Sequence, residues 1–206
     1  RYLQIQAQRK DELSARLGRA QRARMVAARG ALAERAARLD PLSPLGVYAQ
    51  SKAAGDIAVG TARRHYLIRT SWVVGEGRNF VRTMHDLAAR GVSPAVVDDQ
   101  VGRLTFTTEL ARATAHLLDT RAEYGTYNVT NSGTPMTWHD IAAEVYALAG
   151  RDRDDVTRTT TAAYAAGKDL APRPQYSALD LTKLEATGFR PEHASQALAR
   201  YCESLD

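Results

Sequence analysis

Strand-like and helix-like segments alternate from Tyr48 onward, and that alternation restricts the fold more than any other feature of the chain. His65–Gly75 is a short apolar run closed by glycine, the pattern of a buried parallel strand. Ala95–Asp98 and Thr126–Thr130 read as two further strands. Helical spacing falls between and after them. It covers Tyr48–Arg64, Asn79–Arg90, a segment capped by Thr107 or Thr108 and running to Leu118, and one capped by Thr137 and ended by Gly150. Glu109 suits the first turn of its helix, where negative charge is favoured. Ser177–Ala186 reads as a turn and short helix, and Ala194–Leu205 as the last helix. Residues 151–176 read as irregular and polar. Strands that alternate with helices imply an α/β layered fold.

The first 40 residues break this pattern. They are rich in Ala and Arg and carry ten Lys or Arg against four Asp or Glu. A thin apolar stripe at helical spacing predicts one or two exposed helices there. A basic arm for nucleic acid or anionic membrane, a solvated helix, and a segment foreign to this fold all fit that stretch. Residues 41–206 carry 18 basic and 19 acidic groups, so the body of the protein is close to neutral. The overall charge of +5 therefore does not indicate a nucleic-acid-binding face. No apolar run reaches the roughly 18 to 20 residues of a membrane span. The single cysteine, Cys202, excludes an internal disulfide and a cysteine metal cluster, and a reducing cytoplasmic setting is expected. The domain reading is an atypical segment over 1–40 and an α/β body over 41–206.

Tyr48 and Lys52 are the residues best suited to chemistry. At i and i+4 they share one helix face. A free phenol holds its proton to about pH 10. An ammonium beside it favours the phenolate and makes the phenol a better proton donor near neutral pH. Such a phenol can protonate a carbonyl oxygen while hydride arrives at the carbon, and the lysine can hold a ribose. Alone the spacing also fits a solvated helix face. The small residues of Ser51-Lys52-Ala53-Ala54-Gly55-Asp56 and the strand ending in Arg69-Thr70-Ser71-Trp72 strengthen the chemical reading.

Six ordered blocks carry a resemblance. They are Val47–Asp56, Arg69–Gly75, Asn79–Met84, Val96–Gly102, Gly125–Thr130 and Ala171–Ser177. Together they resemble the dTDP-4-dehydrorhamnose reductase family, within the extended short-chain dehydrogenase/reductases, over residues 41–206. The resemblance implies an NAD(P)H-dependent oxidoreductase that reduces the 4-keto group of a dTDP-4-keto-6-deoxyhexose, giving dTDP-L-rhamnose or a near relative. It implies Tyr48 as proton donor, with Lys52 tuning it and holding the nicotinamide ribose of NADPH or NADH. Thr70 and Ser71 would lie beside the nicotinamide at the carboxyl end of a strand. Trp72 would pack against the deoxysugar, or serve as a core aromatic. Asn79 would bind the sugar nucleotide, or cap a helix. Gln100 would line the nucleotide pocket, or satisfy a loop. Arg173 would meet the diphosphate, or stand as a surface arginine in a Pro-rich loop. No metal is implied.

The departures from the family are also informative. Its Gly-x-x-Gly-x-x-Gly turn, which brings a pyrophosphate onto a helix N-terminus, does not occur in this sequence. The family's Thr or Ser upstream of the tyrosine has no counterpart. The expected fold is thus a partial Rossmann-like parallel sheet lacking its first half, with a small α/β substrate-binding region and an N-terminal Ala/Arg-rich helix. A truncated or frame-shifted copy is the expectation for such a sequence. A non-catalytic binding or regulatory subunit, or a split enzyme whose missing half comes from a partner chain, are the rival readings, and a homodimer is a further possibility. Leu104 replaces the proline usual before Thr105, so the substrate-side loop is expected to differ in shape.

Overall fold

The structure is a computed structural model that describes residues 47–168, 170–171 and 173–205. The expected helices over 1–40 and the turn at 41–46 lie outside the described residues.

Helix α1, Val47–Gly60, buries none of its residues. Ala, Gln and Lys form helix readily, and Gly60 is followed by a turn in which Thr61 and Ala62 donate to the carbonyls of Ala58 and Val59. Strand β1, Tyr66–Arg69, pairs in parallel with β6, Gly125–Asn128, in the register Tyr66 to Gly125 and Arg69 to Asn128. Side chains alternate along a strand, and that sorts the two faces of this pair. Tyr66 and Ile68 pack on a core of Ala113, Leu117, Tyr127, Val129, Leu184 and Phe189. Most of that core comes from helices α3, Thr107–Asp119, and α6, Thr182–Glu185, and from β6. Arg69 has the other parity and forms an ion pair with Asp56 of α1.

The predicted strand over 65–75 is two strands. It breaks at Trp72, whose φ of 47° lies in the left-handed region. Beyond the break, β2, Val73–Val74, pairs in parallel with β5, Thr105–Phe106. Two more pairs complete the body. Strand β3, Ala95–Val97, runs parallel to β8, Thr157–Thr159. Strand β4, Val101–Gly102, runs antiparallel to β7, Met136–Thr137. Residues 151–176 are therefore not irregular throughout. They hold a 3₁₀ turn at Arg153–Asp155, the strand β8, and a short helix α5, Thr161–Ala165.

The larger core lies among helices α2, Phe80–Ala89, α4, Trp138–Leu148, and α7, Ala194–Glu203, with Val81, Met84, Ile141, Val145 and Leu198 buried in it. Each such side chain contributes about 1.5–3 kcal/mol on burial. Leu104 is buried in the same core, so the residue that replaces the expected proline is a packing residue. Thr137 opens α4 with a full capping box: its hydroxyl accepts from Asp140 N at 3.0 Å and its N–H donates to the Asp140 carboxylate at 3.2 Å. Gly150, at φ 74°, lets the chain leave that helix. Neither Thr107 nor Thr108 caps α3. Phe106 holds the N-cap position and makes no side-chain cap bond. The buried Glu109 carboxylate accepts from Glu192 N at 3.0 Å and pairs with Arg112.

Candidate active site

Tyr48, Lys52 and Asp56 recur every fourth residue along α1 and so form one stripe. Asp56 fastens that stripe to the end of β1, its Oδ2 accepting from Arg69 Nε at 2.9 Å and Nη2 at 2.7 Å. Thr70 and Ser71 follow at once. The sequence did not single out Asp56, although its spacing from Lys52 was the available signal. Tyr48 is 75% exposed. Lys52 Nζ stands over its ring, 5.4 Å from the centroid. No hydrogen bond joins that ammonium to the phenol oxygen among the described residues. Both side chains are open to a ligand and neither is consumed by packing.

The other expected residues divide into two groups. Ser71 and Trp72 sit on the β1–β2 bend. Ser71 Oγ donates to Arg103 O at 3.4 Å, and Ser71 O accepts from Thr105 Oγ1 at 2.5 Å. Arg103 in turn donates to Gly133 O and Leu179 O, both at 2.8 Å, tying the loops behind the bend together. Trp72 is half-buried and stacks on Trp138 with centroids 3.8 Å apart. Asn79 caps α2: Oδ1 accepts from Arg82 N at 3.0 Å, and Nδ2 donates to Gly75 O at 2.8 Å and Tyr201 Oη at 2.7 Å. Its amide is thus fully engaged within the protein.

Gln100 and Arg173 belong to a second region. Gln100 is buried, and its Nε2 donates to Thr161 Oγ1 at 2.9 Å. Thr161 also donates from side chain and backbone to Asp99, which holds that carboxyl below its ordinary value. Arg173 is exposed on the Pro-rich segment that runs past β4, where Val101 N donates to Gln175 O and Ser177 N to Val101 O, both at 2.7 Å. Among the described residues no hydrogen bond or ion pair joins this region to Tyr48 or Lys52. A cavity of about 140 Å³ lined by Gly102, Arg103, Leu104, Met136, Ile141 and Leu198 touches none of the expected site residues. It is well below the roughly 300 Å³ at which ligand pockets begin. Among the described residues no group of three or more His, Cys, Asp or Glu is placed to hold a metal ion. None of the described helices is long and apolar enough to cross a membrane.

Residues 30–206 match the family model of the RmlD substrate binding domain. The chain belongs to this family. Among curated relatives, the RmlD-domain chain is 37% identical to the spore coat polysaccharide biosynthesis protein SpsK of Bacillus subtilis, over 80% of this chain and 56% of that protein. It is 39% identical to dTDP-4-dehydrorhamnose reductase of Streptomyces griseus, over 73% of this chain and 51% of that protein. The chain thus spans about half the length of the curated relatives it matches. The crystal structure of dTDP-4-dehydrorhamnose reductase from Bacillus anthracis, in complex with NADP, superposes with a TM-score of 0.71 at 31% identity, over 79% of this chain and 57% of that one. The Clostridium acetobutylicum reductase gives the same TM-score, 0.71, at 34% identity over the same shares. A dTDP-glucose 4,6-dehydratase from Bacillus anthracis, at 18% identity and a TM-score of 0.62, shares the fold alone. The RmlD-domain chain is therefore of the Rossmann-like α/β class, as its parallel strand pairs imply.

Proposed function

We propose that this chain carries the proton-donor and sugar-side part of an NAD(P)H-dependent reductase that converts dTDP-4-keto-6-deoxy-L-mannose to dTDP-L-rhamnose. The observation that carries the reading is the exposed Tyr48–Lys52 pair on the α1 stripe that Asp56 ties to Arg69, directly before Thr70 and Ser71. The names of the similar proteins support the same reaction. Tyr48 delivers its proton to the C4 oxygen of the sugar. Lys52 stabilises the charge left on the phenol oxygen and holds the nicotinamide ribose. Thr70 and Ser71 flank the ring, and Arg173 reaches the diphosphate as a forked donor. Trp72, Asn79 and Gln100 are read as the remaining sugar-nucleotide residues, Asn79 and Gln100 acting through the loops they brace.

The residues present fit the cofactor at its nicotinamide-ribose end, where an exposed Lys52 and Tyr48 stand together. They do not supply a glycine-rich pyrophosphate cradle, which the sequence lacks. When bound, NADPH or NADH supplies the hydride. Weak NADPH binding by this chain alone is the expected outcome, and a low-micromolar affinity in a fluorescence titration contradicts it. A rival reading is a chain that works with a partner supplying the cradle, and turnover that arises only on addition of a second gene product identifies that case. We also divide the chain into a 1–40 segment and a 41–206 body, and place it in the cytoplasm, where the buried thiol of Cys202 stays reduced.

Transfer of deuterium from 4-deuterated NADPH tests the reaction. Label at C4 of a dTDP-L-rhamnose product is expected. A binder that yields no labelled product under any supplementation contradicts the reductase reading.

A further inference from the structure

Thr161, the first residue of α5, stands between Asp99 and Gln100. Its hydroxyl has one proton to give. That proton goes to Asp99 Oδ1 at 2.5 Å, while the Thr161 N–H donates to Asp99 Oδ2 at 2.9 Å. These bonds, the hydroxyl's first, hold the Asp99 carboxyl below its ordinary value, so it stays an acceptor only. Toward Gln100 the same hydroxyl can therefore offer only a lone pair. The Gln100 amide must turn its NH2 end to Thr161, and Nε2 donates to Thr161 Oγ1 at 2.9 Å. Gln100 is 8% exposed, yet its Oε1 has no partner among the described residues and is not sealed from the surface. A buried amide that braces its loop with one end thus leaves a directed acceptor at the other. The next residue, Val101, is bonded through its N–H and C=O to the segment that carries Arg173. Arg173 offers donors only, and Gln100 Oε1 offers an acceptor only.

We propose that Thr161 is a positioning residue for the nucleotide: it fixes the polarity of the Gln100 amide so that Oε1 accepts a hydrogen bond from a donor on the thymidine half of the ligand. That donor is the imide N–H of the base or the hydroxyl of the deoxyribose. The diphosphate, whose oxygens only accept, is excluded as the partner of Oε1 and falls to Arg173. The hexose falls to Tyr48 and Lys52, to which no hydrogen bond or ion pair joins this loop among the described residues. Thr161 and Asp99 do not touch the ligand. The inference rests on the reductase reading of the site.

The test is calorimetric titration of the whole chain with dTDP, with dTDP-L-rhamnose, and with two forms of dTDP methylated at the base imide nitrogen or at the deoxyribose hydroxyl. Wild type binds one methylated form about tenfold more weakly than dTDP, and that form marks the donor. Thr161→Val keeps the shape and loses the hydroxyl. Its affinity for dTDP falls about tenfold, whereas its affinity for the marked form stays at the wild-type value, a selectivity that a merely structural role does not produce. Thr161→Ser restores the hydroxyl and with it the dTDP affinity. Gln100→Met removes the amide at similar length, gives the same selective loss, and serves as the second variant should Thr161→Val fail to fold. Equal binding of dTDP and both methylated forms by wild type overturns the donor contact. Wild-type dTDP affinity in a folded Thr161→Val, or an equal loss for dTDP and the marked form, overturns the positioning role. A loss confined to dTDP-L-rhamnose puts the donor on the hexose and overturns its assignment to the thymidine. A wild-type chain that binds neither dTDP nor dTDP-L-rhamnose overturns the reductase reading together with the inference, which separates the two failures.

Discussion

Helix α1, with 14 residues, and helix α4, with 11, are of comparable length, and they use their side chains in opposite ways. Helix α4 buries His139, Ile141, Ala142, Ala143, Val145 and Tyr146. Helix α1 buries none of its 14 residues. It is kept helical by its small and straight-chain residues and attached by the pair Asp56–Arg69. What α4 gains in packing it loses in availability, because each side chain that fills a core is withheld from a ligand. The reverse holds for α1, where Tyr48 and Lys52 stand free to meet one. A fold of this kind can keep its chemistry on an element that contributes little to its stability.

The sharpest contrast is between two isoleucines. Ile141 is 1% exposed, and Ile141→Ala is expected to cost about 2–5 kcal/mol in denaturant unfolding, through lost burial and the cavity left behind. Ile57 is 75% exposed on α1, and Ile57→Ala is expected to stay within about 0.5 kcal/mol of wild type. Equal losses at the two sites would break the comparison.

A smaller effect attaches to the capping box of α4. Thr137→Ala is expected to cost about 1 kcal/mol, with Asp140 losing its hydroxyl partner. Burial pushes the Asp140 carboxyl up, but bonds from the side chain and backbone of Thr137, with help from His139 and Arg158, bring it below its ordinary value. A depressed carboxyl stabilises the fold above its unfolded-state value of about 4, and the gain is lost as pH falls through the folded-state value. Melting temperatures measured down a pH series should therefore fall below about pH 4. The fall should be shallower in Thr137→Ala. A Thr137→Ala curve parallel to wild type counts against the assignment.

The smallest stability effect is expected at the exposed pair. Asp56→Asn should change unfolding by no more than about 1 kcal/mol. It should nevertheless weaken substrate turnover, because it releases the stripe that carries Tyr48 and Lys52. An Asp56→Asn chain with unchanged turnover would separate the ion pair from the site.

Much of this was legible in the sequence where a residue's role is local. The Tyr48–Lys52 spacing, the Thr137 cap, the Asn79 cap and the glycine that ends α4 depend on neighbours within a turn or two, and each appears as its spacing implied. The misses share a different cause. Strand β8 is Thr157-Arg158-Thr159, which has no apolar residue to mark it and becomes a strand only because β3 offers an edge. The break at Trp72 and the cap position of Phe106 depend on contacts with Trp138, Gly102 and Asn131, the last of which accepts from Phe106 N at 2.9 Å. Long-range partners of this sort leave no periodic trace. The same holds for the links from Gln100 to Thr161 and from Arg103 to Gly133, which brace their loops across 61 and 30 positions of chain.

The most direct test of the account is Tyr48→Phe, read as 4-keto sugar turnover and thermal stability on the same preparation. Turnover should fall by about 10²–10⁴-fold, the usual share of a general acid, while the melting temperature stays at the wild-type value. Turnover that survives at the wild-type rate in a folded Tyr48→Phe chain would contradict the claim that α1 carries the reaction.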